Sequence, residues 1–215
     1  MNAIIQKIRE RLKEQLPGLD AQLKMAPLKR IPTEPGNEKF KESAVLLLLF
    51  PNNNTLNFVL IKRPEETGPH SGQVSFPGGK RDFDDHSLLH TALRETKEEI
   101  GTETDSVEIL GQLTPLYIAV SQYMVYPYVG YIDKHPDFIP EPGEVEYILE
   151  IQLSELLSPS VIKTTLIERK DYSFQTPYFD VKNEIVWGAT AMILSEFITI
   201  LKNNTIDEDI LNFNS

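Results

Sequence analysis

Residues 94–101, RETKEEIG, place several ionisable side chains where they could act together. Glu95, Glu98 and Glu99 stand at i, i+3 and i+4, so on a helix they share one outward, polar side. Like charges at this spacing repel each other, and the cluster therefore needs either full solvation or a cation. A solvated acidic face is the common fate of such clusters. The alternative is a site for Mg²⁺, a hard cation that prefers carboxylate oxygens.

The segment before this helix favours the metal site. Residues 76–82, FPGGKRD, contain two adjacent glycines, which allow the backbone to approach another group closely. Apolar side chains at helical spacing predict a helix over residues 87–100, and Gly101 is placed to cap its C-terminus. A glycine pair followed by an acidic helix is a rarer combination than either part alone.

Composition limits the class of protein. The chain has 215 residues, 40% of them hydrophobic, as in one globular domain with additions. It has no cysteine, which excludes disulfides, thiolate zinc sites and a cysteine nucleophile. The net charge of −11 argues against general binding to nucleic acid, and the longest apolar run, residues 44–50, is too short to span a membrane. With no secretory signal pattern at the N-terminus, we expect a cytoplasmic protein.

Hydrophobic periodicity predicts the order of the elements. We expect an amphipathic helix over residues 2–16, an extended lead-in over 26–42, the helix over 87–100 and a closing helix over 189–201. Strands are predicted between these helices, at residues 44–50, 56–62, 73–76, 107–113, 124–132 and 145–153, with a short helix from residue 154 and a hairpin over 161–186. This order predicts an α+β fold, a mixed sheet covered on both faces by helices. We divide the chain into residues 1–42 (helix and lead-in), 43–202 (main domain) and 203–215 (tail).

The glycine loop and the acidic helix together resemble the Nudix box, the signature of Nudix hydrolases. Gly79 and the run 94–101 match its pattern. The spacing from Gly79 to Arg94 is one residue longer than usual, so the first Glu of the box falls at His86, or at Asp85 if the extra residue lies later. Thr96 and Thr102 replace apolar residues of the box.

The resemblance implies a Nudix fold, an α/β/α sandwich, and specific roles for the residues of the box. Glu95, Glu98 and Glu99 would bind Mg²⁺ or Mn²⁺, with the carbonyl of Gly79 as a further ligand. Arg94 would orient Glu95 through a charge-assisted hydrogen bond.

The resemblance also implies a carboxylate from a loop beside the metal site. Glu144, in the loop over residues 139–148, is similar in position to this residue. It would join the metal site or assist the attacking water, and the alternative is a solvated surface glutamate.

Further segments resemble the coenzyme A pyrophosphatase branch of this family. Residues 60–79, LIKRPEETGPHSGQVSFPGG, match the pattern that precedes the box in that branch. Two later segments, SQYMVYPYVG (121–130) and VWGATA (186–191), are also similar to segments of the branch. The branch pattern has a second Arg where this chain has Gly68. The candidates for binding substrate phosphates are then Arg63, His70, Lys80 and Arg81, with a solvated or packing role as the alternative for the last three.

The resemblance implies a metal-dependent diphosphatase that cleaves coenzyme A, or its acyl derivatives, into 3′,5′-ADP and 4′-phosphopantetheine. A second reading is a pyrophosphatase for another nucleoside diphosphate derivative, such as ADP-ribose or a nucleotide sugar. The third is a non-catalytic binding module with the same fold, which we rank lower because all three box carboxylates are present. In each case the expected partner is a small molecule.

Overall fold

The most apolar stretch of the chain forms the central strand, β1 (Lys41–Asn52), in the computed structural model, which describes residues 1–27, 40–65, 72–169, 172–203 and 205–213. Alternate side chains of this strand enter two different buried clusters, Leu47 and Leu49 one and Leu46 and Leu48 the other. A strand with both faces buried is apolar along its whole length, which explains the continuous hydrophobic run.

The described strands form one large mixed sheet and one small sheet. Their bounds after β1 are β2 (Thr55–Lys62), β3 (Val74–Ser75), β4 (Gly78–Lys80), β5 (Glu108–Gln112), β6 (Leu116–Ile118), β7 (Tyr123–Tyr131), β8 (Tyr147–Gln152), β9 (Ile162–Arg169), β10 (Tyr172–Val181) and β11 (Glu184–Val186). β1 pairs with β2 and β4 antiparallel and with β7 parallel, and β3 and β8 extend the sheet from β2. β5 and β6 pair with β7, and β9, β10 and β11 form a separate antiparallel sheet.

Helices cover both faces of the large sheet. They are α1 (Asn2–Arg11), α2 (Gly18–Leu23), α3 (Leu88–Ile100), α4 (Leu153–Leu157), α5 (Gly188–Lys202) and α6 (Ile206–Phe213). α3 supplies Ala92 and Ile100 to the cluster on one face, while α1, α5 and α6 bury apolar residues in the cluster on the other. The predicted mixed sheet between two helical layers is therefore confirmed.

The N-terminal segment differs from the single predicted helix. α1 ends at Arg11 because the next amides bond to carbonyls three residues back, Lys13 to Glu10 and Glu14 to Arg11. A second helix, α2, then packs on α5, where Ser195 Oγ donates to the carbonyl of Ala21 over 2.7 Å. Such contacts between distant segments leave no trace in local periodicity.

The C-terminal segment is also structured. Residues that we expected to form a tail make helix α6, in which Ile206 and Ile210 are buried. The predicted lead-in lies mostly outside the described residues, and the division of the chain into three segments stays a prediction. No helix among the described residues is both long and apolar enough to cross a lipid bilayer.

Candidate active site

The predicted acidic helix is α3, and its ends are fixed by the residues that the sequence provides for them. Ser87 caps the N-terminus, accepting a hydrogen bond from the amide of His90 at 3.1 Å. Gly101 ends the helix in the left-handed conformation at φ 69°, which favours glycine. Both helix boundaries therefore follow local sequence signals.

The three glutamates of α3 differ sharply in burial, which corrects the expectation of a uniformly outward face. The Glu99 side chain is 1% exposed, that of Glu95 16% and that of Glu98 56%. The reason is the position of α3 against β1 and β4, which brings Glu99 over the sheet and leaves Glu98 towards solvent. Only Glu98 lies on a surface in the sense that the sequence predicted.

Glu99 is held by few polar contacts for a buried carboxylate. Its Oε2 accepts a hydrogen bond from the Gly78 amide at 2.7 Å, and its Oε1 lies 3.3 Å from Arg63 Nη1. Burial raises the pKa of Glu99 to about 8, and the negative charges of Glu95 and Glu144 add to the effect. A cation bound beside Glu99 would stabilise the charged form of this carboxylate.

The glycine pair forms a backbone cradle for these carboxylates. Gly78 has φ 143°, and a Cβ there would stand 2.4 Å from the carbonyl oxygen of Ala44. A Cβ on Gly79 would stand 2.4 Å from the carboxyl group of Glu95. Glycine is required at position 78, where the backbone of a neighbouring strand occupies the space of a side chain, whereas a side chain at position 79 would displace the Glu95 carboxylate.

Arg94 organises the outer part of the site. Its Nη2 lies 3.0 Å from Glu95 Oε1, and its Nη1 donates to Glu98 Oε2 at 2.9 Å. Its Nη2 also donates to the carbonyl of Lys80 at 3.2 Å. Burial raises the pKa of Glu95, while the positive charge of Arg94 acts in the opposite direction. The position of Arg94 thus fits its predicted role of orienting Glu95.

Asp85 anchors Arg94 from behind. Its two oxygens accept from Arg94 Nε at 3.0 Å and Nη2 at 2.9 Å, a bidentate pair. Thr91 Oγ1 and the amide of Asp82 also donate to Asp85, each at 2.9 Å. These hydrogen bonds, above all those from Arg94, hold the pKa of Asp85 well below its usual range.

Asp85 is the residue that sequence reasoning omitted from the candidate site. The pattern allowed either Asp85 or His86 as the first acid of the box, and the structure buries Asp85 while His86 is exposed and stacks on His90. The signal that could have identified Asp85 is its charge, because only a carboxylate can pair with Arg94.

The loop that carries Glu144 is attached to the end of α3. The amides of Ile139 and Glu141 donate to the carbonyls of Ile100 and Glu99, both at 2.9 Å. The loop then turns back, with the Glu144 amide donating to the carbonyl of Glu141 at 3.0 Å. The charge of Glu144 reaches both Glu95 and Glu99, where it raises the pKa of each. The structure therefore brings this predicted loop carboxylate to the same region as the helix carboxylates.

The predicted phosphate-binding residues separate into groups. Arg63 lies inside the carboxylate centre, against Glu99. Lys80 and Arg81 line an open groove outside it, where Arg81 Nη1 pairs with Glu42 Oε2 at 2.7 Å. His70 and Gly68 lie outside the described residues.

The donor atoms of the site are of the kind that bind a divalent cation, although they do not form a complete set of metal ligands in this structure. In the part of the chain that the structure describes, no three His, Asp or Glu side chains are grouped as metal ligands usually are. Glu98 is paired with Arg94. Carboxylate oxygens are nevertheless available there, and they are the donors that Mg²⁺ and Mn²⁺ prefer. They belong to Glu99, which has few hydrogen-bond partners, and to Glu95, which lies beside the Gly79 backbone. The negative charge of Glu144 acts on the same region.

Comparisons with known proteins agree with this geometry. A family model described as the NUDIX domain matches residues 40–174. Two relatives, each described as an uncharacterized Nudix hydrolase NudL, come from Yersinia pestis (strain Pestoides F) and Yersinia pseudotuberculosis serotype O:1b (strain IP 31758). Each is 39% identical over 136 residues, which is 63% of this chain and 68% of the relative.

Solved structures with a similar arrangement have low sequence identity to the chain. A MutT/nudix family protein from Enterococcus faecalis has a TM-score of 0.49 at 20% identity, over 85% of this chain and 70% of that one. The NUDIX domain of Shewanella oneidensis NrtR, solved in complex with ADP ribose, has a TM-score of 0.46 at 20% identity, over 56% of this chain and 77% of that one.

Proposed function

Because the chain belongs to the Nudix family, and is therefore a hydrolase that acts on phosphoric anhydrides, we propose that it cleaves the diphosphate of coenzyme A or its acyl derivatives. The products would be 3′,5′-ADP and 4′-phosphopantetheine. Members of the family generally use divalent metal ions, and we propose Mg²⁺ or Mn²⁺ for this one.

The observation that carries the proposal is the buried, under-bonded carboxylate of Glu99 beside the Gly78–Gly79 backbone. A buried charge with so few partners is costly unless a cation meets it. The segments that resemble the coenzyme A branch support the choice of substrate, since residues 60–79 lead directly into this backbone.

The resemblance to the Nudix box implies the roles, and the positions of the side chains support them. Glu95, Glu98 and Glu99, with the Gly79 carbonyl, would hold the metal, which when bound polarises phosphoryl oxygens and lowers the pKa of water. Arg94 keeps Glu95 in place and is itself fixed by Asp85. Glu144, whose negative charge acts on both Glu95 and Glu99, would join the metal site or assist the attacking water.

A second candidate is a pyrophosphatase for another nucleoside diphosphate derivative, such as ADP-ribose. Two observations favour it: Gly68 stands where the coenzyme A branch has an Arg, and Arg63 contacts Glu99 instead of facing the groove. The 3′-phosphate of coenzyme A, which ADP-ribose lacks, would need a cation other than Arg63 or a residue at position 68.

The test is product analysis after incubation with coenzyme A and, separately, with ADP-ribose, each with Mg²⁺ or with excess EDTA. We expect 3′,5′-ADP from coenzyme A, no product in EDTA, and recovery when Mg²⁺ or Mn²⁺ is restored. A preference for ADP-ribose would replace the substrate proposal, and full activity in EDTA would refute the metal site.

A further inference from the structure

An open groove of about 590 Å³ lies beside the carboxylate centre. Its walls come from the start of β1, the end of β4 and the loop before α3, and its lining residues are Phe40, Lys41, Glu42, Lys80, Arg81, Asp82 and Phe83. The two walls are joined by the backbone, since the Arg81 amide donates to the carbonyl of Glu42 at 3.1 Å. The groove is therefore formed before any ligand binds.

The groove carries an aromatic side chain that has no packing role. The Phe83 side chain is fully exposed, at 103% of its reference area, and Phe40 at the opposite wall is 39% exposed. Exposing a whole phenyl ring gives the fold no stability, and exposed aromatic groups beside cations are typical of surfaces on which nucleobases stack.

The groove also has an excess of positive charge in a chain whose net charge is −11. Arg81 neutralises Glu42 at 2.7 Å, and Arg94 Nη2 lies 4.0 Å from Asp82 Oδ2. Lys41 lies over the ring of Tyr123, and among the described residues no carboxylate lies within ion-pair distance of Lys80. Two lysines of the groove are thus left to attract an anion.

The groove begins one residue from the carboxylate centre. Gly79 lies against the carboxyl group of Glu95, and the next residue, Lys80, already lines the groove. Adjacent Cα atoms are about 3.8 Å apart, so a diphosphate at Glu95 would place its nucleoside within reach of the groove. Arg63 is not available for this purpose because it contacts Glu99.

We propose that this groove is the nucleotide subsite, in which Phe83 stacks on the nucleobase while Lys80, supported by Lys41, binds a phosphate on the ribose. The ligand class is a nucleotide that carries a ribose phosphate in addition to its diphosphate. The choice of this class rests on the proposed function, whereas the stacking surface and the charge are features of the groove itself.

The experiment is calorimetric titration of the full chain in EDTA with adenosine 3′,5′-bisphosphate and with adenosine 5′-monophosphate. Phe83→Ala should weaken binding of both ligands about tenfold, and Phe83→Tyr, which keeps the ring, should stay within about twofold of wild type. Lys80→Gln should weaken the bisphosphate about tenfold and the monophosphate much less. Leu211→Ala and Lys13→Gln, exposed residues elsewhere, are the matched controls and should bind as wild type does.

Each result decides the inference separately from the proposed function. If wild type does not bind the bisphosphate, or if Phe83→Ala and Lys80→Gln bind it normally, the groove is not the nucleotide subsite. If both variants lose binding while coenzyme A is not hydrolysed, the groove is a nucleotide subsite and the proposed function is wrong. If coenzyme A is hydrolysed and the variants bind the bisphosphate normally, the proposed function is supported and the groove is not the nucleotide subsite.

Discussion

Two glutamates are buried in the part of the chain that the structure describes, and their surroundings differ completely. Glu196 of α5 is 0% exposed and accepts hydrogen bonds from the Gly18 amide at 3.1 Å, from Gln22 Nε2 at 2.9 Å, and from the Thr114 amide and Oγ1 at 3.2 and 2.6 Å. Glu99 of α3 is 1% exposed and has one amide donor and the more distant Arg63.

The difference separates a structural carboxylate from a functional one. Glu196 has its lone pairs satisfied by neutral donors, and it joins α2, α5 and the turn between β5 and β6. Glu99 is under-satisfied beside other carboxylates, so its burial costs stability until a cation arrives. Stability should therefore depend on Glu196, and activity on Glu99.

The largest expected effect is on stability, at Glu196. Glu196→Ala leaves the amide of Gly18, the amide and hydroxyl of Thr114 and the side chain of Gln22 without their acceptor, and should lower the free energy of unfolding by about 3 to 5 kcal/mol. Urea denaturation measures it. Glu208→Ala, an exposed glutamate of α6, is the control and should change stability by less than about 0.5 kcal/mol. If Glu196→Ala lowered the free energy of unfolding by less than about 1 kcal/mol, Glu196 would not be a structural carboxylate that differs in this way from Glu99.

Glu99→Gln should lower kcat by about two orders of magnitude, or about 2.7 kcal/mol of transition-state stabilisation. The amide keeps the size of the side chain but loses the charge that would hold the metal. Steady-state kinetics with saturating Mg²⁺ measures the change, and Glu103→Gln, an exposed glutamate beyond the end of α3, is the control. A variant near the wild-type rate would make Glu99 a structural residue like Glu196.

Removing the charge of Glu99 should also change how stability depends on pH. Its folded-state pKa, about 8, lies above the ordinary value of 4.5 for a glutamate, so its contribution to stability is complete below pH 4.5 and is lost as the pH rises towards 8. In EDTA, the free energy of unfolding of the wild type should therefore fall between pH 5 and 8 by about 1 to 3 kcal/mol more than that of Glu99→Gln. Denaturation curves at each pH measure this difference.

The matched control for the pH experiment is Glu98→Gln, the adjacent glutamate with a 56% exposed side chain. It should keep the pH dependence of the wild type, because the substitution leaves the buried carboxylate of Glu99 in place. Equal slopes for Glu99→Gln and the wild type would mean that the Glu99 charge is compensated in the folded protein.

These contrasts show what the sequence could and could not predict. Spacing alone placed Glu95, Glu98 and Glu99 on one side of a helix, and Gly101 marked its end. The sequence could not distinguish Glu99 from Glu98, because their burial depends on how β4 docks beside α3. Nor could it find Glu196, whose partners Gly18 and Gln22 lie 178 and 174 residues away along the chain.

Asp85 offers a smaller test of the functional carboxylates, because Arg94 links it to Glu95 and Glu98. Asp85→Asn should lower kcat about tenfold with little change in KM, since an amide NH2 replaces one of the two Asp85 oxygens that accept from Arg94. Asp85→Glu, which restores the carboxylate, should recover most of the rate. A variant that loses stability but keeps its kcat would make Asp85 a purely structural cap.

Arg63 provides the smallest and most specific test, since it is the only cation of the described residues within 4.0 Å of the Glu99 carboxylate. From the sequence, Arg63 was a candidate for substrate phosphates, and its contact with Glu99 places it at the diphosphate end. Arg63→Ala should therefore raise KM about fivefold, roughly 1 kcal/mol, for coenzyme A and for dephospho-coenzyme A alike. A loss confined to coenzyme A would show that Arg63 leaves Glu99 to meet the 3′-phosphate, and Lys80 would then have no unique role in the groove.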